Sequence, residues 1–183
     1  MVLSDTDIIK AVEAGDIKLS DFDEERVQPA SYDILLGSSF ILTEPHSTTY
    51  VDPQEHIGPK TKEIEIPEEE KFVLHPGVSV LGKSWDHFGS ENYLIQISGK
   101  SSLARIGLLI HNTAGIINPG HFLNVTLELY NLSNIPIILR PKMPIAQLLF
   151  FPLSTPPKQS YKETGRYSED NWHTWKPGKN DKS

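Results

Sequence analysis

From Gln28 to Leu153 the chain is cut into short apolar runs separated by Pro and Gly, and this punctuation most limits what it can fold into. The runs read SYDILLGSSFILT, EIEIPEEEKFVLHPGVSVLG, NYLIQISG, IGLLIH, LNVTLELYN, PIILRP and PIAQLLFFPL. Segments of this length, rich in β-branched and aromatic residues and bounded by turn formers, predict a mainly β sandwich or barrel. Most of the 14 prolines fall between the runs, where a missing N–H deletes no ladder bond. Before them, Ser4-Asp-Thr-Asp7 has the spelling of a capping box, Ile8, Ile9 and Val12 give a buried stripe, and Gly15 is a stop. A short N-terminal helix is expected there.

A length of 183 residues suits one core better than two. The expected division is a β domain with its helix over 1–153 and a polar, mobile tail over 154–183, whose Pro pair, charges and lack of branched aliphatics set it apart. Tyr161, Tyr167, Trp172 and Trp175 are more aromatic surface than a solubilising tail needs. Either ordering over a ligand or docking on the chain's own domain would bury them.

A formal charge of −7 argues against nucleic acid as a partner, since phosphate binding normally needs a basic face. No apolar run approaches a membrane span, and MVLSDTDIIK is acidic where a secretory signal would be basic and then apolar. A cytoplasmic protein without a membrane partner is therefore expected. The absence of cysteine removes thiolate zinc, and the histidines show no ligand spacing, so no metal site and no zinc are expected.

Two stretches carry candidate chemistry. In SGKSSLARIGLL, Gly99 permits a tight turn, and Lys100, Ser101 and Ser102 offer an ammonium, two hydroxyls and adjacent amides, a collar suited to phosphate oxygens. It is not a Walker loop, because Leu94 stands where the first glycine belongs. Arg105 follows, able to pair with a carboxylate or phosphate, or to sit in a surface salt bridge. In LNVTLELYN the period of two places Leu123, Val125, Leu127 and Leu129 on one face and Asn124, Thr126, Glu128 and Tyr130 on the other. That polar face is either a solvated sheet surface or one wall of a site.

The order and spelling of QPASYDILLG, VLHPGVSVLG, SGKSSLARIGLLIHNTAGIINPG, LNVTLELYN and PIAQLLF resemble the dCTP deaminase and dUTPase superfamily, the deaminase branch most. The resemblance implies a homotrimer of distorted β-barrels of the dUTPase-like β-clip type, with sites at subunit boundaries and a tail that folds over the nucleotide. Glu128 then matches the proton-transferring carboxylate, Ser101 and the carbonyl of Ala114 match groups that orient water and the amino group, and Arg105 matches the arginine supporting the glutamate. Lys100 and Ser102 match phosphate ligands, with Lys in the usual place of Arg. Tyr161 and Arg166 resemble tail residues that meet base and triphosphate. Mg²⁺ would arrive with the dCTP, and trimers of this type are often inhibited by dTTP.

Such enzymes use a carboxylate as acid and base, which works near neutral pH when a closed cleft partly buries it. Three outcomes stay open. The leading one is hydrolysis of dCTP to dUTP and ammonia, feeding thymidylate synthesis. Thr113-Ala114-Gly115-Ile116 looks more like the bifunctional enzymes that end at dUMP and diphosphate. Asn118, in the slot of a nucleotide-handling Asp, and Asp170, in place of the tail's Gln, point to a third reading, a trimeric nucleotide sensor without turnover. His111 is read as a hydrogen-bonded structural residue.

Overall fold

The computed structural model describes residues 1–165 and 167. The chain runs α1 (Asp5–Glu13), β1 (Ile17–Leu19), β2 (Val27–Gln28), β3 (Ser31–Thr43), β4 (Thr61–Glu65), β5 (Phe72–Leu74), β6 (Ser79–Ser90) and β7 (Tyr93–Gly99). It continues through α2 (Ser101–Arg105), β8 (Leu108–Leu109), β9 (Ile116–Ile117), β10 (Phe122–Asn131), β11 (Ile137–Leu139), β12 (Pro144–Pro152) and α3 (Tyr161–Thr164). The fold is mainly β, as the punctuated apolar runs predict.

The main sheet has the spine β8-β10-β6-β3-β12-β7-β9, with β1 added to β6 and β2 and β4 to β3; β5 and β11 form a separate antiparallel pair. The chain itself forces this sheet to curl. Leu109 at one end of the spine and Ile116 at the other are joined by residues 110–115, a reach of at most about 25 Å for seven residue steps. A flat sheet would put those ends about 29 Å apart, at six inter-strand spacings. Curling lets 110–115 close the gap, and Ile97 N donates to Gly115 O at 2.7 Å as the segment arrives.

The concave side holds the core, in which Tyr32, Phe40, Phe88 and Phe150 are fully buried together with Ile34, Leu36, Leu127, Leu129 and Leu148. α1 adds Ile8 and Ala11 to it, and Gly15, at φ 78°, ends the helix region as expected. The expected capping box does not form: Ser4 makes no side-chain cap, and its hydroxyl donates to Asp7 Oδ2 at 3.3 Å instead. The serine hydroxyl is thus turned to donate to the carboxylate three residues on, and its oxygen does not accept from a first-turn amide.

The alternation of β10 is also interrupted. Leu127 and Leu129 are buried, but Leu123 and Val125 are only half-buried, because the pairing with β6 shifts between Asn124 and Thr126. There β6 bulges through Ser84, Trp85 and Asp86. Asn124 Nδ2 donates into the bulge toward the carbonyls of all three, at 2.9, 3.0 and 3.1 Å. Asp86, within the bulge, faces inward at zero exposure, where it pairs with Arg26 at 2.7 Å and accepts from Leu35 N at 2.7 Å. Arg26 also lies 4.8 Å from the centroid of Tyr32. Burial, the largest influence, pushes the Tyr32 hydroxyl up to about 12.

Candidate active site

The GKSS stretch, read from the sequence as a candidate phosphate collar, lies where β7 ends. Gly99 pairs with Ala146 of β12, after which Lys100 caps the single turn of α2 and receives Leu103 N at 3.0 Å. Ser101, Ser102 and Arg105 are all exposed. Facing them is the segment Gln28 to Ser31, and Gln147 of β12 lies between the two walls. Together with Gly99 and Lys100 to Ser102 these residues line a cleft of about 460 Å³. Gln147 stands opposite Asp33 on one side and Ser98 on the other. Its amide ties the walls together: Ser31 Oγ donates to Oε1 at 3.0 Å, and Nε2 donates to Gly99 O at 3.1 Å. Lys100 Nζ forms an ion pair with Asp33 Oδ2 across the same strand.

Glu128 lies elsewhere. It is half-buried on β10, between the fully buried Leu127 and Leu129, and its Oε2 accepts from Asn112 N at 3.1 Å. Asn112 belongs to the segment that closes the curled sheet, and two residues on comes Ala114, which is exposed. Between them Thr113 holds φ at 69°, a left-handed conformation costly for a β-branched residue. Asn118 is exposed too, and its carbonyl accepts from His121 N at 3.2 Å. A single chain thus brings Glu128 together with the loop of Ala114, and Ser101 together with Lys100 and Ser102. It does not bring Glu128 into the Ser101 cleft, of which it is not a lining residue.

His111 has a buried Nδ1 with no hydrogen-bond partner among the described residues. Among the described residues no cluster of three or more His, Asp or Glu is placed to hold a metal ion, and no helix is long and apolar enough to cross a membrane.

Tyr161, expected to meet the base, packs on its own chain. Its N–H donates to Pro119 O at 2.9 Å, and its ring lies 5.6 Å from that of His121. Gly120, at φ 92°, makes this approach possible, since a Cβ there would stand 1.9 Å from Ser160 Oγ. Burial, the largest influence, and then neighbouring His87 lower the His121 ring to about 4, so it is neutral at physiological pH. Of the two fates considered for the aromatics after Leu153, Tyr161 takes docking. Arg166 and Asp170 lie outside the described residues.

These elements follow one another in an order that known proteins share. Residues 2–153 match the family model described as dCTP deaminase-like. The chain belongs to the dCTP deaminase-like family. Among curated family members, a protein of Bifidobacterium longum named "dCTP deaminase, dUMP-forming" is 44% identical over 166 residues, covering 90% of this chain and 86% of its own length. One of the same name from Tropheryma whipplei is 46% identical over 162 residues, covering 88% and 83%. The crystal structure of 2'-deoxycytidine 5'-triphosphate deaminase from Agrobacterium tumefaciens is 21% identical, with a TM-score of 0.62, and supports the fold. That match takes in 81% of this chain but about half, 47%, of the other.

Sequence reasoning assigned no role to Ser31, Asp33 or Gln147. The signal was present for Gln147, a lone polar residue within PIAQLLFF. Asp33 gave none, because its partner Lys100 lies 67 positions away, just after a strand that is not its direct neighbour in the sheet.

Proposed function

We propose that this protein is an enzyme that hydrolyses the C4 amino group of dCTP and carries the product on to dUMP and diphosphate. The observation that carries the chemistry is the Glu128 carboxylate held by Asn112 N two residues before Ala114. An acid-base group is thereby held by the loop that carries the Ala114 carbonyl. Glu128 takes a proton from water as the oxygen adds to C4, then delivers it to the amino nitrogen as the C4–N bond breaks. Water and dCTP leave this step as dUTP and ammonia. Ser101 and the Ala114 carbonyl orient the water and the amino group, and Arg105 supports the carboxylate and the charge that develops.

Lys100 and Ser102 take the triphosphate, which brings Mg²⁺ with it as part of the substrate. Since the Lys100 cleft and Glu128 occupy different places in one chain, the complete site is formed between copies, and a homotrimer satisfies this. Tyr161 anchors the start of the tail over 154–183 on Pro119 and His121, and Arg166 and Asp170, beyond the described residues, are the proposed nucleotide contacts. The second step, hydrolysis at the α-phosphorus, is supported by the names of the relatives at 44% and 46% identity.

A second reading, stopping at dUTP, is favoured by Asn118, whose side chain cannot accept a proton from an attacking water. Purified protein with dCTP and Mg²⁺ decides the matter by separating dUTP, dUMP, diphosphate and ammonia. Ammonia with diphosphate supports the proposal, ammonia with dUTP the second reading, and binding without either product a sensor. Adding dTTP to the same assay tests inhibition.

A further inference from the structure

Lys100 is a point charge on a long flexible stem, where an arginine would offer a rigid fork, so something must aim it. Asp33 is placed to do so. It lies on β3, separated from β7 by β12, and its carboxylate pairs with the Lys100 ammonium over the intervening strand. Asp33 is 7% exposed and is not a lining residue of the cleft, whereas Lys100 is one. Asp33 Oδ1 is buried with no hydrogen-bond partner among the described residues, so this carboxylate is not shared out among neighbouring backbone amides or hydroxyls at that atom. The Lys100 ammonium has three donors and gives one to Asp33, which leaves two for a ligand in the cleft that Lys100 lines. The backbone around Asp33 is held by separate contacts: its own carbonyl receives Arg26 Nη1 at 3.5 Å, and Leu35 N donates to Asp86.

We infer that Asp33 is a positioning residue for triphosphate binding, acting through Lys100 and never touching the nucleotide. This rests on the proposed use of the Lys100 cleft for phosphate. The alternative is a plain structural counter-charge, and the two make opposite predictions. A carboxylate behind the cleft repels phosphate, so if it did nothing else its removal would tighten binding. If it aims Lys100, removal loosens binding despite the gain in net positive charge.

The test is calorimetric titration of the full chain with Mg²⁺-dCTP, with Mg²⁺-tripolyphosphate and with deoxycytidine. Asp33→Asn is expected to weaken both triphosphate ligands about tenfold and to leave deoxycytidine unchanged. Lys100→Ala should lose at least as much, and the double variant no more than Lys100→Ala alone, because the two residues act as a unit. Asp33→Glu, which keeps the charge but lengthens the arm, should fall between Asp33→Asn and the unaltered protein and serves if Asp33→Asn does not fold. Unchanged or tighter triphosphate binding by Asp33→Asn or Asp33→Glu, or additive losses in the double variant, overturns the inference. If Lys100→Ala itself binds tripolyphosphate normally, the phosphate reading of the cleft fails instead, and the positioning role with it.

Discussion

Glu128 and His121 show how position converts ordinary side chains into distinct chemical groups. Glu128 keeps one carboxylate oxygen against Asn112 N and sits between two leucines that fix its strand. Replacing it with Gln preserves shape and hydrogen bonding but removes proton transfer. Ammonia release by Glu128→Gln should drop by at least about 10²-fold, while titration finds dCTP affinity largely kept. His121 is lowered to about 4 by burial, against an ordinary value of 6.5. The unfolded chain therefore binds the extra proton first as pH falls, and stability from this residue is present above pH 6.5 and lost on descent toward pH 4. The loss is on the order of 3 kcal/mol at pH 4. His121→Phe, which keeps a ring against Tyr161, should flatten the stability profile between those pH values in urea denaturation.

At the scale of elements, the bulge in β6 and the turn at Gly120 decide where the site's supports lie. Arg26→Met leaves Asp86 buried without its cation and should cost about 3–5 kcal/mol, whereas Asn124→Ala should cost about 1–3 kcal/mol by leaving the bulge carbonyls short of a donor. Chemical denaturation with an unchanged slope measures both. Gly120→Ala meets both a left-handed φ and the Ser160 hydroxyl, so α3 should detach and the Tyr161 amide exchange about tenfold faster or more. The strands were legible because burial by β-branched and aromatic runs is a local signal, visible in SYDILLGSSFILT or NYLIQISG. The bulge was not, since the residues of β6 alternate regularly in burial across it. Only the pairing with β10 shows that Ser84 to Asp86 stand opposite a single residue, and pairing between distant strands leaves no mark on either one alone.

The whole molecule is governed by closure: residues 110–115 span from one end of the sheet's spine to the other and bring the Asn112 N–H to Glu128. The motifs GKSSLAR, HNTAGIINPG and LELYN were grouped through their resemblance to one family, while the hydroxyls and charges that interrupt apolar text marked only the first and last as candidate chemistry. That sites lie at subunit boundaries was an expectation from the resemblance alone, since spacing along a sequence says nothing of which copy completes a cleft. The account's central claim is that the Lys100 to Ser102 cleft of one copy is completed by Glu128 of another. It is tested by combining two variants, Glu128→Gln and Ser101→Ala, each inactive alone, through co-expression or joint refolding. Random assembly predicts that about a quarter of the original activity returns, from sites that pair an intact cleft with an intact Glu128. Mixed oligomers with no recovered ammonia release would place both residues in the same chain's site and contradict the account.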